Sequence, residues 1–139
     1  MPRQAIGAFD VTSWDELPYH EPTEGPRLSR AKVAKAFRGD IVGQSTAELL
    51  MCTADPANPA AGAGYVANEL VECELGGRTG SFVLQHGGVM AGPDERRTFG
   101  HVVPGSGTGE LEGIAGDAVI GVDENGKHTL TLTYEIAAR

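Results

Sequence analysis

A glutamate and a histidine occur in two neighbouring apolar segments, at a spacing that brings them together. Glu69 lies in YVANELVECEL and His86 ends TGSFVLQH, with Gly76-Gly77 between the two segments. A tight turn at these glycines pairs Leu75 with Arg78, and the alternation of side chains in a hairpin then places Glu69 and His86 on one face. A carboxyl group in such an apolar setting has a raised pKa unless His86 or another donor pairs with it. We therefore predict Glu69 and His86 as candidate catalytic residues that transfer a proton, with a purely structural pair as the alternative.

The same alternation defines a predicted inner face for this hairpin. Its members are Ala67, Glu69, Val71, Cys73, Phe82, Leu84 and His86. From this face and the flanking segments we predict a set of ligand-binding residues, namely Glu48, Tyr65, Cys73, Phe82 and Leu84. Glu48, in STAELLMC, either adds a second carboxylate to the interior or faces solvent. Tyr65 either offers its phenol at the mouth of the fold or packs with its hydroxyl in water.

A few other residues carry weaker expectations. Trp14, the only tryptophan, is expected to close one end of the fold, and Gln85 is expected to face away from His86. Glu110 and Tyr134 are candidates for interior polar groups.

The glycine-rich stretch VVPGSGTGELEG, residues 102–113, resembles a phosphate-binding loop at first reading. A P-loop needs Lys and then Ser or Thr after its last glycine, whereas Glu110 and Leu111 follow Gly109 here. The dinucleotide fingerprint also fails, because Glu110 occupies the position of its third glycine. These glycines therefore predict a turn that enters a bent strand.

The spacing of the other reactive residue types excludes two further classes of site. The four histidines form no His-x-His or His-x-x-x-His pair and the two cysteines have no partner motif, so we predict no metal and no cofactor. No Gly-x-Ser-x-Gly nucleophile elbow occurs, which argues against a covalent hydrolase.

Composition limits the partners and the compartment. The net charge of -8 argues against nucleic acid and anionic membranes, and the basic segment RLSRAKVAKAFR, residues 27–38, is interpreted as the solvated face of a strand. No apolar run has the length of a signal peptide or a membrane span, so we expect a cytoplasmic protein. Cys52 and Cys73 lie inside apolar runs and are expected to be reduced and buried.

Frequent turn signals and the absence of helical periodicity predict an all-β fold in a single domain over residues 1–139. The predicted strands are Ala5–Trp14, Leu28–Phe37, Ile41–Cys52, Tyr65–Leu75, Thr79–His86, Thr98–Val103, Thr108–Val122 and Lys127–Ile136. The segment between residues 53 and 64 is read as a surface loop or a lid over one end. Eight strands rich in glycine favour an antiparallel closed barrel whose interior holds side chains or one small ligand.

Four motifs in register carry a resemblance to a known family. They are SWDELP from Ser13, RAKVAKAFRGDIVGQS from Arg30, GRTGSFVLQHGG from Gly77 and VVPGSGTGELEGIAG from Val102. The chain resembles a bacterial family of small domains of unknown function with the allene oxide cyclase-like barrel fold. The resemblance implies that fold, but it implies neither the activity of the plant cyclases nor that of natural-product cyclases of related fold, and no plant motif residue matches this chain.

Three functions are compatible with these observations. The first is the binding of a small, mostly apolar molecule, oriented by Glu69 and His86, in or at the mouth of the barrel. The second is a cyclase or isomerase that moves a proton on such a molecule. The third is a structural, oligomer-forming barrel with a filled interior, and a homo-oligomer is expected in any case.

Overall fold

The computed structural model describes residues 2–92 and 95–137. It contains nine strands and one short 3-10 turn at Pro59–Ala61. The strands are β1 (Arg3–His20), β2 (Arg27–Gly39), β3 (Ile41–Thr53), β4 (Ala63–Leu75), β5 (Arg78–Met90), β6 (Arg96–Val102), β7 (Thr108–Gly109), β8 (Ile114–Val122) and β9 (His128–Ile136).

All pairings are antiparallel and eight of the strands form a ring. Their order is β4, β3, β2, β1, β9, β8, β6 and β5, and β5 pairs back with β4. The two-residue β7 pairs only with β5 and lies outside the ring. We call the end where β4, β6 and β9 begin the mouth end, and the end where β1, β5 and β8 begin the base end.

The β4–β5 hairpin has the predicted register. Leu75 pairs with Arg78 across the Gly76-Gly77 turn, and the ladder continues to Glu69 opposite Leu84 and Ala67 opposite His86. Both turn glycines have a positive φ, +59° and +80°, as a two-residue hairpin turn requires. The predicted inner face of this hairpin is therefore confirmed.

Three predicted strands have wrong boundaries. The strand expected over Thr79–His86 continues to Met90 as β5. The expected strand Ala5–Trp14 continues to His20, because β1 beyond Ala8 has only β2 as a neighbour and an edge strand tolerates Pro18. Trp14 lies on this extension and is half exposed, at 48%, so it does not close an end of the fold.

The expected strand Thr108–Val122 is interrupted after Gly109. Gly109 and Gly113 adopt φ values of +60° and +90°, and the backbone turns through bonds from Leu111 N to Thr108 O and from Ile114 N to Leu111 O. The turns place Leu111, which is fully buried, in the core. The glycine-rich stretch at residues 102–113 therefore folds back on itself and helps to fill the interior.

The interior contains two apolar clusters with polar side chains between them. The larger cluster includes Phe9, Phe82, Leu84, Leu111 and Leu132, while the smaller one consists of Ala31, Val33 and Ala47 with Leu49 and Met51 packed against it. Glu69 lies between them, because its register partners are Ala47 on one side and Leu84 on the other.

Gly100 allows β6 to approach β8 closely. A Cβ atom there would lie 2.4 Å from the carbonyl oxygen of Ala118. Only one residue pair, His101 with Asp117, joins these two strands in register. The contact between β6 and β8 therefore requires glycine, which has no side chain, at position 100.

Candidate functional site

A buried polar network surrounds Glu69. Its Oε1 atom accepts hydrogen bonds from Lys35 Nζ at 3.1 Å and His86 Nε2 at 2.8 Å, and its Oε2 atom accepts one from Ser45 Oγ at 2.6 Å. His86 Nδ1 lies 2.9 Å from the Tyr65 hydroxyl. The predicted meeting of Glu69 and His86 is therefore confirmed, and three further side chains join them.

Four neighbouring strands each supply one or two of these side chains. Lys35 comes from β2, Ser45 from β3, Glu69 and Tyr65 from β4 and His86 from β5, all at inward positions of the alternation. Register positions the carboxylate, since Lys35 is paired with Ser45 and Ser45 with Val71, two residues along the inner face from Glu69.

The interpretation of the basic segment as a solvated strand face is wrong for Lys35. Its neighbours Arg30, Lys32 and Arg38 are exposed, whereas Lys35 is buried, 8% exposed, and its ammonium group also lies 4.5 Å from the centre of the Phe9 ring. The signal was present in the sequence, because Lys35 shares the inward parity of Val33 and Phe37.

The surroundings of Glu69 keep its carboxyl group ionised. Burial alone would raise its pKa, but the hydrogen bond from His86, the charge of Lys35 and the hydrogen bond from Ser45 together outweigh burial and lower the pKa to about 2. The pKa of Glu69 is therefore not raised as expected for an unpaired carboxyl group, because His86 and two other donors pair with it. Both oxygens already accept hydrogen bonds from the protein, so Glu69 orients Lys35, Ser45 and His86 in this arrangement.

The ionised carboxylate also sets the orientation of His86. Because Glu69 accepts from Nε2, a neutral imidazole has its proton there, and Nδ1 then accepts the hydroxyl proton of Tyr65. Burial and, to a lesser extent, the charge of Glu69 raise the pKa of Tyr65. Tyr65 is therefore a neutral phenol whose oxygen keeps acceptor capacity for a further partner.

Tyr65 also lines a cavity at the mouth end, which we call the mouth cavity. It has a volume of about 370 Å³, within the range of small-molecule pockets. Most of its side-chain lining is apolar, from Met51, Ala63, Met90, Ile120 and Val122. The polar side chains that line it belong to Tyr65, Thr98, Arg96 and His128.

The other residues proposed from sequence lie elsewhere. Cys73, Phe82 and Leu84 belong to the larger apolar cluster and are not part of the mouth-cavity lining. Burial raises the pKa of the Cys73 thiol to about 11, so it is not a nucleophile at neutral pH. Glu48 faces outward and forms an ion pair with Arg30, with 3.5 Å between Oε1 and Nε, so it does not join the buried network of Glu69. It lines a cavity separate from the mouth cavity, and His86 lines that cavity as well.

The three remaining polar candidates divide between the two faces. Gln85 points outward, as expected, and donates to Asn68. Glu110 is exposed and accepts from the backbone N–H of Thr79 rather than facing the interior. Tyr134 is buried in the larger cluster.

Within the described residues, no three His, Cys, Asp or Glu side chains cluster in the manner of a metal site. The same part of the chain contains no helix that is long and apolar enough to cross a membrane.

Comparison with known proteins identifies a family whose function is unknown. The model of a family described as a protein of unknown function, DUF3224, matches residues 5–134. Among solved structures, the chain is similar to a protein of unknown function from the DUF3224 family of Shewanella oneidensis MR-1, with 36% sequence identity and a TM-score of 0.82. That match covers 99% of this chain and 100% of the other. No curated protein matches the chain.

Proposed function

This chain belongs to the DUF3224 family, whose function is unknown, and we propose that it binds a small, mostly apolar molecule in the mouth cavity. The observation that carries the proposal is a cavity of about 370 Å³ at one end of the ring, lined mainly by apolar side chains and by one phenol from the buried network. Pockets of this size and composition are typical of small-molecule sites. An open cavity also favours binding over the filled interior of a purely structural protein.

The buried network gives the pocket one oriented polar group. The ion pair of Lys35 and Glu69 is neutral as a whole, and it holds His86 so that Nδ1 fixes the hydroxyl of Tyr65. A ligand with a hydrogen-bond donor at that point replaces the water that would otherwise solvate the Tyr65 oxygen. Glu69 and His86 thus orient the ligand through Tyr65.

Two valines on β8 offer a matched test of the site. Val122 lines the mouth cavity and is 57% exposed, whereas Val119 is 59% exposed at the opposite parity of the same strand. Val122→Trp should block the cavity and Val119→Trp should not. We would measure binding of the fluorescent apolar probe anilinonaphthalene sulfonate, together with native mass spectrometry of the freshly purified protein.

Loss of probe binding in V122W but not in V119W is the expected result. Equal binding by both variants would overturn the proposal, because the probe would then occupy another surface. A molecule released on denaturation from wild type and V119W, and absent from V122W, would identify the ligand class.

A second candidate function is a cyclase or isomerase that transfers a proton, favoured by the hydrogen-bonded line from Tyr65 through His86 to Glu69. A ligand identified by mass spectrometry would be incubated with the protein in D₂O. Enzymatic proton transfer would introduce deuterium into the compound with wild type but not with Tyr65→Phe. A compound recovered unlabelled from wild type would leave binding as the function.

Three further properties belong to this proposal. The eight-stranded ring supports a closed, allene oxide cyclase-like barrel. The free thiols of Cys52 and Cys73 support a reducing, cytoplasmic location. Exposed apolar side chains such as Leu50, Val66 and Phe99 support a homo-oligomer, which light scattering would test directly.

A further inference from the structure

A second cavity lies at the base end of the ring, opposite the mouth cavity. It has a volume of about 370 Å³, and we call it the base cavity. Arg3 at the start of β1, Arg78 at the start of β5 and Tyr134 near the end of β9 all line it. Three hydrogen-bond donors, two of them cationic, therefore line one small cavity in a protein with a net charge of -8.

The two guanidinium groups have no carboxylate partner among the described residues. No ion pair within residues 2–92 and 95–137 includes Arg3 or Arg78, whereas Arg30 and Arg38 each lie against a carboxylate. In an acidic protein, two arginines at one cavity that form no ion pair within the described residues produce a local positive field that attracts anions.

The hydroxyl of Tyr134 is an independent sign of a ligand. Tyr134 is only 4% exposed, yet none of the side-chain hydrogen bonds among the described residues includes its hydroxyl. Across the same residues, every fully buried polar side-chain atom has a partner. The unpaired oxygen of Tyr134 is therefore accessible from the base cavity, where a bound group can satisfy it.

The turn glycine Gly76 leaves room beside this hydroxyl. A Cβ atom at Gly76 would lie 3.1 Å from the Tyr134 hydroxyl oxygen and 3.8 Å from Arg3 Nη1. The phenol and the guanidinium of Arg3 thus approach one common point, which a side chain at residue 76 would occupy.

We propose that the base cavity binds a small organic anion, a carboxylate or a phosphate ester, through Arg3, Arg78 and the hydroxyl of Tyr134. Arginine recognises both kinds of oxyanion by paired N–H donors, and a phenol adds a single donor. Glu135 also lines the cavity, so the charged side chains around it are two arginines and one glutamate. The site is separate from the mouth cavity and does not depend on the function proposed for it.

Two small substitutions test the assignment. Tyr134→Phe removes only the hydroxyl and keeps the ring in the core, and Arg78→Gln removes one exposed charge. Arg97→Gln is the matched control, because it removes the same charge from an exposed residue that does not line the base cavity. Inorganic phosphate and acetate would be titrated separately at constant ionic strength, with amide chemical shifts of Gly76 and Gly113 as the readout.

We expect saturable shifts with at least one of the two anions, and the anion that binds identifies the ligand class. Tyr134→Phe should weaken binding about tenfold and Arg78→Gln tenfold or more, whereas Arg97→Gln should leave it unchanged. The absence of saturation with both anions would overturn the proposal. Equal losses in Arg78→Gln and Arg97→Gln, with no loss in Tyr134→Phe, would also overturn it, because the attraction would then reflect net charge alone.

Discussion

Replacement of Glu69 by Gln is the perturbation for which the structure gives the clearest magnitude. The carboxylate is 1% exposed and its pKa falls from 4.5 to about 2 on folding. A difference of about 2.5 units corresponds to about 3 kcal/mol of stability at neutral pH. The substitution also leaves the buried ammonium of Lys35 without its counter-charge, so we expect a total loss of about 3–5 kcal/mol in the free energy of unfolding.

The loss should depend on pH in a defined direction. Because the pKa of Glu69 is lowered in the folded state, its contribution is complete above the unfolded value of 4.5 and disappears as the pH falls towards 2. The difference in unfolding free energy between wild type and E69Q should therefore be largest at neutral pH and should shrink over this interval.

Urea denaturation followed by circular dichroism from neutral pH to pH 2 would measure this difference. Glu72→Gln is the control, since Glu72 lies on the same strand with its side chain exposed, and we expect a change within about 0.5 kcal/mol. Replacing both members of the ion pair, in Lys35→Met with Glu69→Gln, should be less harmful than E69Q alone. A pH-independent loss in E69Q, or a double variant as unstable as the two single losses added together, would refute the reasoning.

Three other predictions concern single residues. Gly100→Ala should lower the free energy of unfolding by about 1–3 kcal/mol in urea denaturation, because its Cβ atom would meet the Ala118 carbonyl oxygen. Gly121→Ala is the control, since a Cβ atom there has nothing within 4 Å. Equal stabilities of the two variants would contradict the close approach of β6 to β8. In a Cys52→Ser variant, Cys73 should resist iodoacetamide at pH 8 until the protein is unfolded in urea, since burial raises the pKa of its thiol to about 11. Rapid labelling of the native protein would contradict this burial. The ultraviolet titration curves of wild type and Tyr65→Phe should differ by one phenol whose pKa lies above the ordinary value of 10.0. A transition at or below that value would contradict the burial of Tyr65 next to the charge of Glu69.

Local rules were sufficient for the hairpin that carries the site. The turn at Gly76-Gly77 fixes the register of β4 and β5, and strict alternation then places Glu69 and His86 on the inner face. The same rule applied to β2 would have placed Lys35 inside, but the number of cations in that segment favoured a solvated face. The number of cations in a strand is therefore a weaker guide to burial than the parity of each position.

The boundaries that were wrong depend on strand pairing and core packing rather than on local sequence signals. β1 continues past Trp14 because β2 extends alongside it, and the strand expected at Thr108–Val122 is interrupted because Leu111 fits into the core. Turn signals and periodicity show neither how far two consecutive strands stay paired nor which side chain fills the core.

The sequence by itself determined the antiparallel β class, the failure of the nucleotide motifs and the pairing of Glu69 with His86, because each follows from residue types and short-range geometry. The tertiary structure alone decided the charge state of the site. Whether a buried carboxyl group has a raised or a lowered pKa depends on which donors other strands supply, and here Lys35 and Ser45 come from β2 and β3. It likewise decided which inward positions pack in a core and which line a cavity, since that depends on how side chains from all strands of the ring meet one another.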